Sequence, residues 1–294
     1  MILVTGATGK TGRRVLDQLV QRGESVRAQI HDVGKVDRVP VGAELVVCSF
    51  EDVDAWDAAV SGCSAIYLVS PPGPEQRRQE GVVIEAARRS GTGARIVKLA
   101  AMGLDDPKAG RIAAQHSQIR DDLSSSGLPW SIVAINQLMD NLLLYLAPVQ
   151  QLGILPVPAG DAHVAWVDGD DVAAVAVSLL TTDGHEGRTV DVTGAEALHH
   201  RDVAKLLGAW CGHEVTYIDV PPEQALAAMI EGGLDPWVAA GLVETNGWYA
   251  RGGAAQPTQN VRTLTGRAPT SLADFVERLP LEAPTIAEPG AARG

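Results

Sequence analysis

Short apolar runs alternate along this chain with longer stretches in which apolar residues recur at helical spacing, and that alternation sets the expected fold. Near-continuous apolar runs at residues 2–4, 25–30, 44–47, 65–69, 95–99 and 130–135 predict strands buried on both faces. Helices are predicted between them over residues 10–22, where Val15, Leu16, Leu19 and Val20 form a stripe, and near 55–60, 76–90 and 109–126. The last of these meets Gly127 and Pro129, residues that stop a helix. Strands that alternate with helices in this way lie parallel, with the helices crossing over both faces, so the class is α/β with a doubly wound parallel sheet.

Beyond residue 135 the pattern loosens. Short strands are expected at 163–167, 189–192 and 214–220, and helices at 170–180, 201–210, 223–230 and 236–244. A final helix is announced by Ser271 with Asp274 three residues on. The expected organisation is a core over residues 1–135, a smaller interleaved α/β subdomain over 136–280 that returns some elements to the core, and a tail. That subdomain caps the carboxyl edge of the sheet, where doubly wound folds bind ligands. The tail, 281–294, is rich in Ala, Pro and Gly and is expected to be disordered.

Composition narrows the function. A formal charge of -12 over 294 residues, with no cluster of Lys and Arg, speaks against a nucleic-acid surface. The richest apolar stretch, residues 138–146, is interrupted by Asp140 and Asn141 and runs into Pro148, so no membrane span is expected. Cys48, Cys63 and Cys211 have no metal-ligand spacing and cannot all pair, and the chain opens without a leader pattern. The expectation is a soluble cytoplasmic protein, monomeric or homodimeric. His199, His200, Cys211 and His213 flank a helix rather than share one face of it, so no metal site is read there.

Chemistry first appears in GATGKTG, residues 6–12. A strand that runs straight into Gly6, Gly9 and Gly12 and then into a helix needs each glycine: for the tight turn, for close backbone approach to a pyrophosphate, and for helix–strand packing. The helix that follows points its unpaired N–H groups and positive end at a bound anion. Thr8, Lys10 and Thr11 lie within the same turn, so Gly6 to Gly12 is the candidate phosphate site of a dinucleotide.

GATGKTG, then VRAQIHD, IYLVSPP, IVKLAAMG, SSSGLPWSIVAINQLMDN, WVDGDDVAAVA, VTGAEAL and LTGRAPTSLADFV follow one order. In that order the chain resembles atypical short-chain dehydrogenases of the NmrA-like group, and is similar to NAD(P)H-dependent azo- and quinone-reductase-like proteins. The resemblance implies a Rossmann fold, a nicotinamide dinucleotide at Gly6–Gly12 and a small C-terminal substrate subdomain. It implies NADPH, with NADH possible, because Arg27 is kept while His31 replaces a second Arg that grips the 2′-phosphate. His31 with Lys35 or Arg13 is placed to hold that phosphate, and Asp32 to accept from a ribose hydroxyl instead. Ser49 and Phe50 stand where the group has a Gly-Asp pair at the adenine. Ser70, Pro71 and Pro72 match the loop beside the nicotinamide ribose, and Lys98 in IVKLAAMG is counted with the cofactor residues.

Ala100 and Ala101 occupy the usual place of the catalytic Ser, and His116 and Arg120 that of the Tyr-x-x-x-Lys. Their i, i+4 spacing puts both on one helix face, made apolar by Ile112, Ile119 and Leu123. Two readings stand. In one, His116, with an ordinary pKa of about 6.5, gives a proton to a substrate oxygen while Arg120 stabilises negative charge. In the other, His116 is a core histidine and Arg120 holds a carboxylate such as Asp168 or Asp171, residues also placed to cap the helix after them. Asn136, Asn141, Trp166 and Trp237 are candidate substrate contacts, since aromatic cap residues suit a flat ligand. The function expected is hydride transfer from NAD(P)H to a small flat acceptor such as a quinone, an azo compound or an aromatic ketone. A dinucleotide-sensing regulator without turnover and a non-redox isomerase or cyclase on the same fold are the alternatives.

Overall fold

The first apolar run forms β1 (Ile2–Val4), which enters the glycine turn and then α1 (Lys10–Gln21), before the chain returns through β2 (Val26–Ile30) and β3 (Glu44–Val47). The computed structural model describes residues 1–253 and 255–280, so the expectation for 281–294 lies outside the described residues. α2 (Val53–Val60), β4 (Ala65–Leu68), α3 (Gln76–Ser90), β5 (Arg95–Ala101), α4 (Arg111–Ser125) and β6 (Trp130–Ile135) continue the alternation. The chain then leaves the sheet through α5 (Leu146–Leu152), β7 (Ile154–Pro156) and β8 (His163–Val164). It comes back through α6 (Gly169–Thr181) and β9 (Arg188–Val192). Among the described residues, seven strands make one parallel sheet in the order β3-β2-β1-β4-β5-β6-β9. The order reverses between β1 and β4, and the crevice outside their carboxyl ends is where this Rossmann architecture binds ligands.

β10 (Leu198–His199), α7 (His200–Cys211), β11 (Thr216–Ile218), α8 (Pro222–Glu231), α9 (Pro236–Ala250), α10 (Asn260–Thr265) and α11 (Leu272–Glu277) complete the chain. β10 pairs antiparallel with β8, and β11 pairs parallel with β7. Val15, Leu16 and Leu19 of α1 and Val172, Val175 and Leu179 of α6 bury one face of the sheet. Trp56, Ile84, Ile119 and Leu123 bury the other. A third core joins Leu155, Val164, Trp166, Leu207, Trp248 and Tyr249, and it takes in Ala109 and Ala113 beside α4. α4 serves the sheet through Ile119 and Leu123 and the cap core through Ala113, while α6 and β9 return to the sheet from beyond residue 135.

Two expectations shift for physical reasons, and one helix appears that was not expected. β3 is an edge strand rather than one buried on both faces, with Leu45 and Val47 exposed. α9 runs on past Glu244 to Ala250 because Trp248 and Tyr249, just over one turn beyond, are pulled into the cap core. α5 forms although it contains Pro148, which sits at the third helical position, where no intrahelical N–H bond is needed, and Gly153 at φ 66° ends it.

Candidate functional site

Gly6 adopts a φ of +55°, a left-handed conformation that favours glycine, and its N–H donates to Gln29 Oε1 at 3.1 Å. A Cβ at Gly12 would lie 2.3 Å from the Gly6 carbonyl oxygen, so only glycine lets α1 come this close to the turn. Gly9 caps α1 without any side-chain hydrogen bond. The first-turn N–H groups, which have no intrahelical acceptor, therefore face outward as an anion cradle. Thr8 is half-buried, Lys10 exposed and Thr11 buried along this rim. Gln29, buried at 2 % exposure, also donates to the Cys48 carbonyl at 2.7 Å, stitching the turn to β2 and β3. Sequence reasoning missed it; the available signal was a lone amide inside an apolar strand.

His31 is exposed at the end of β2, beside a 3-10 turn over Val33–Arg38. Asp32 heads that turn, accepting from Gly34 N at 2.9 Å, and Lys35 Nζ lies 3.7 Å from its carboxylate. Arg13 pairs with Asp17 at 2.7 Å and donates to the Arg38 carbonyl, so Arg13 and Lys35 both reach this corner. Arg27 does not. It pairs with Glu44 at 2.7 Å and donates to the Ala59 and Ser61 carbonyls at the end of α2, on the amino edge of the sheet. Ser49 is exposed and its hydroxyl accepts from Glu51 N at 3.2 Å, while Phe50 stacks on Trp56 at 5.3 Å between centroids.

Ser70 and Lys98, expected among the cofactor residues, share one buried carboxylate, Glu80. Ser70 turns inward and donates to Glu80 Oε1 at 3.0 Å, leaving Pro71 exposed at the rim. Lys98, fully buried in β5, donates to the same oxygen at 2.9 Å and to its neighbour's carbonyl at Leu99. Gln76 adds a third donor at 3.3 Å, whereas Glu80 Oε2 has no partner among the described residues. Burial pushes the Glu80 carboxyl up and Lys98 down, each opposed by the other's charge. The apolar spacing of α3 hid Glu80, because only the fold brings it under β5.

His116 points into the protein at 8 % exposure, and its Nδ1 is buried with no partner among the described residues. Burial, reinforced by the Lys98 charge, holds its pKa well below 6.5. It is thus neutral at physiological pH, which corrects the expectation of an imidazole titrating near 6.5. Arg120 pairs with Asp105 at 2.8 Å, not with Asp168 or Asp171, and also donates to Ser117 at 3.2 Å. Asp168 caps α6 by accepting from Asp170 N at 2.8 Å and is paired with Arg278, while Asp171 accepts from Thr270 N at 2.6 Å.

A small cavity opens past the end of β6. Gln137, Asn141, Leu144 and Tyr145 form one wall, from the loop after β6 and a 3-10 turn over Met139–Tyr145. Leu242, Thr245 and Asn246 of α9 form the other. Asp140 anchors the first wall through Arg14 of α1 at 2.7 Å. Gly169 makes room for that bridge, since a Cβ there would lie 2.6 Å from the Arg14 guanidinium. Gly241 lets α9 lie against α4, where a Cβ would meet Ile112 at 2.7 Å, and Glu244 binds Arg111 at 2.6 Å. Of the expected contacts, Asn141 lines the cavity and Asn136, buried at 3 %, lies just before it. Trp166 is buried against His200, and Trp237 lies under Arg111 with 5.9 Å from its ring centroid to the guanidinium carbon. Neither lines the cavity.

A family model described as NAD(P)H-binding matches residues 6–183, from the glycine turn onward. The chain belongs to this NAD(P)H-binding family. An NAD(P)H azoreductase of Xenophilus azovorans is 29 % identical over 94 % of this chain and 97 % of its own. A (4-alkanoyl-5-oxo-2,5-dihydrofuran-3-yl)methyl phosphate reductase of Streptomyces griseus is 32 % identical over 94 % and 96 %. Among solved structures, the NADPH-dependent quinone oxidoreductase of Escherichia coli complexed with NADPH superposes with a TM-score of 0.86 at 25 % identity, covering 94 % of this chain and 98 % of that one. No helix among the described residues of this NAD(P)H-binding protein is long and apolar enough to cross a membrane.

Proposed function

We propose that the protein is an NADPH-dependent reductase acting on a small flat conjugated acceptor: a quinone, an azo compound or an aromatic ketone. The observation that carries this reading is the uncapped α1 N-terminus behind Gly6, Gly9 and Gly12, held against the turn because Gly12 carries no Cβ. Relatives acting on azo compounds and quinones, one of them solved with NADPH, support it. When bound, the nicotinamide supplies hydride. The Gly6–Gly12 backbone and the α1 N-terminus hold the pyrophosphate, and Arg13 and Lys35, with the His31 ring beside them, form the corner that favours a 2′-phosphate. Lys98, held by Glu80, supports the floor of the site rather than touching the cofactor.

Ala100 and Ala101 offer no hydroxyl, and neutral His116 offers a hydrogen bond rather than a full proton. Acceptors whose reduced form is a delocalised anion suit such a site, because transfer to them rests on orientation more than on a strong acid. The enzyme is cytoplasmic, a reading supported by Cys48, Cys63 and Cys211, which are free among the described residues. Calorimetry with NADPH and NADH, followed by NADPH oxidation across a panel of quinones and azo compounds, tests the proposal. NADPH binding with turnover is expected; binding without oxidation of any acceptor would replace it with a dinucleotide sensor, and no binding would remove both.

A further inference from the structure

Resting on that reading, we infer that Glu80 is a positioning residue for the cofactor: through the Ser70 hydroxyl it fixes segment 69–72, one lip of the NADPH crevice. That segment leaves β4 where the strand order reverses, and its first residue is fastened to the glycine turn. Thr5 Oγ1 donates to the Val69 carbonyl at 2.7 Å and accepts from Val69 N at 2.8 Å. The turn and the lip lie in contact, since a Cβ at Gly6 would stand 3.1 Å from Val69 Cγ1. Beyond Val69 the lip has few means of holding itself. Pro71 and Pro72 are exposed and have no N–H to donate, and the next side-chain anchor is Gln115, which donates to the Pro74 carbonyl at 3.1 Å. Ser70 supplies the hold between them, buried at 6 % exposure and donating to Glu80 Oε1 at 3.0 Å. A residue before proline is confined to extended backbone, so fixing Ser70 also sets the direction in which Pro71 and Pro72 leave.

The accepting end of this clamp is itself immobile. Glu80 is fully buried on α3, and its Oε1 also takes Lys98 at 2.9 Å and Gln76 at 3.3 Å. Lys98 belongs to β5, which pairs with β4 on one side and β6 on the other, so the clamp ties the lip to an interior strand of the sheet. Stability alone does not call for such a pair, because replacing a buried ion pair with well-packed apolar residues is often neutral or stabilising. An apolar side chain at position 80 would fill the space but give Ser70 no acceptor. A lip held by that bond meets the cofactor already ordered, and binding is spared the entropy of ordering it.

Calorimetric titration with NADPH, with no acceptor present, tests this on the wild type, Ser70→Ala and the double variant Lys98→Met/Glu80→Leu. Ser70→Ala leaves the Glu80–Lys98 pair in place and is expected to raise the NADPH Kd about tenfold. Without cofactor, amide hydrogen exchange at Gly73 is expected to quicken in the same variant. The double variant removes both charges together and is expected to keep a Tm close to the wild type, yet to bind NADPH about tenfold more weakly, because Ser70 has lost its acceptor. Adding Ser70→Ala to it is expected to raise Kd no further, since hydroxyl and carboxylate act as one unit. An unchanged Kd in Ser70→Ala, or a wild-type Kd in the folded double variant, overturns the inference. A raised Kd in Ser70→Ala without faster exchange at Gly73, or a further rise in the triple variant, also overturns it, because the hydroxyl would then touch NADPH itself. Wild type that binds NADPH but oxidises it with no acceptor removes the reductase reading and leaves the clamp standing; wild type that binds no NADPH removes both.

Discussion

Replacing Lys98 with Met keeps an unbranched side chain in β5 but removes the cation from a fully buried pair. Glu80 is then left with Ser70 at 3.0 Å and Gln76 at 3.3 Å on Oε1, and still with nothing on Oε2. Breaking a buried pair by deleting one partner costs about 3–5 kcal/mol, because the remaining charge is stranded in a medium that solvates it poorly. At about 2 °C per kcal/mol for a chain of this size, Tm falls by about 6–10 °C. Glu80 escapes part of that cost by taking a proton, and this gives the pH dependence a definite sign. Burial already raises its folded pKa above the unfolded value, and loss of Lys98 raises it further. A carboxyl with a raised folded pKa contributes stability that is present at low pH and lost as pH rises through that pKa. The deficit of Lys98→Met is therefore smallest near pH 5 and grows toward pH 8. Pairing it with Glu80→Leu removes both charges and recovers most of the loss. Urea melts of the wild type, the single variants and the double variant at several pH values read all four quantities. A single-variant deficit below about 1 kcal/mol, or one that shrinks as pH rises, would refute the reasoning.

Substitutions at three further positions test the same geometry. His116, held neutral, contributes stability that is complete above its unfolded pKa of about 6.5 and falls by up to about 1.4 kcal/mol per pH unit below it, so His116→Gln flattens the acid limb of the unfolding curve. The same neutrality means that NADPH oxidation shows no step near pH 6.5 in the wild type that His116→Gln removes. Gly12→Ala forces a Cβ to within 2.3 Å of the Gly6 carbonyl, and calorimetry should find NADPH binding weakened by about a hundredfold or more, with about 1–3 kcal/mol lost from stability. Arg14→Ala frees the wall that carries Asn141 and Tyr145, so the acceptor KM should rise about tenfold while the NADPH Kd changes by less than about twofold, and Arg14→Lys should restore part of it.

The fold was legible because strands buried on both faces leave continuous apolar runs, and residues 130–135 appear as a strand with those bounds. Helix 76–90 was equally clear, as was the glycine turn, since backbone geometry demands particular residues at particular spacings. The site beyond the turn was less legible. Ser70 and Lys98 occupy positions aligned with the cofactor, but their side chains turn to Glu80, a residue whose role exists only once α3 lies across β5. Arg120 was placed on the right face of α4, yet its partner is Asp105 in a loop, which helical spacing cannot reveal. Asn246 escaped notice because α9 continues through Gly247, a residue that reads locally as a stop. Asn136 and Asn141 were expected near the cleft because they follow the strand over 130–135, and Asn141 lines the cavity past its end.

The most direct measurement is a single turnover: protein loaded with one equivalent of NADPH, mixed without oxygen with one equivalent of menadione, and followed by the absorbance of the reduced nicotinamide. Loss of that absorbance with formation of an equal amount of menadiol is the expected result. NADPH that stays bound and reduced beside unreacted menadione would contradict hydride transfer at this site.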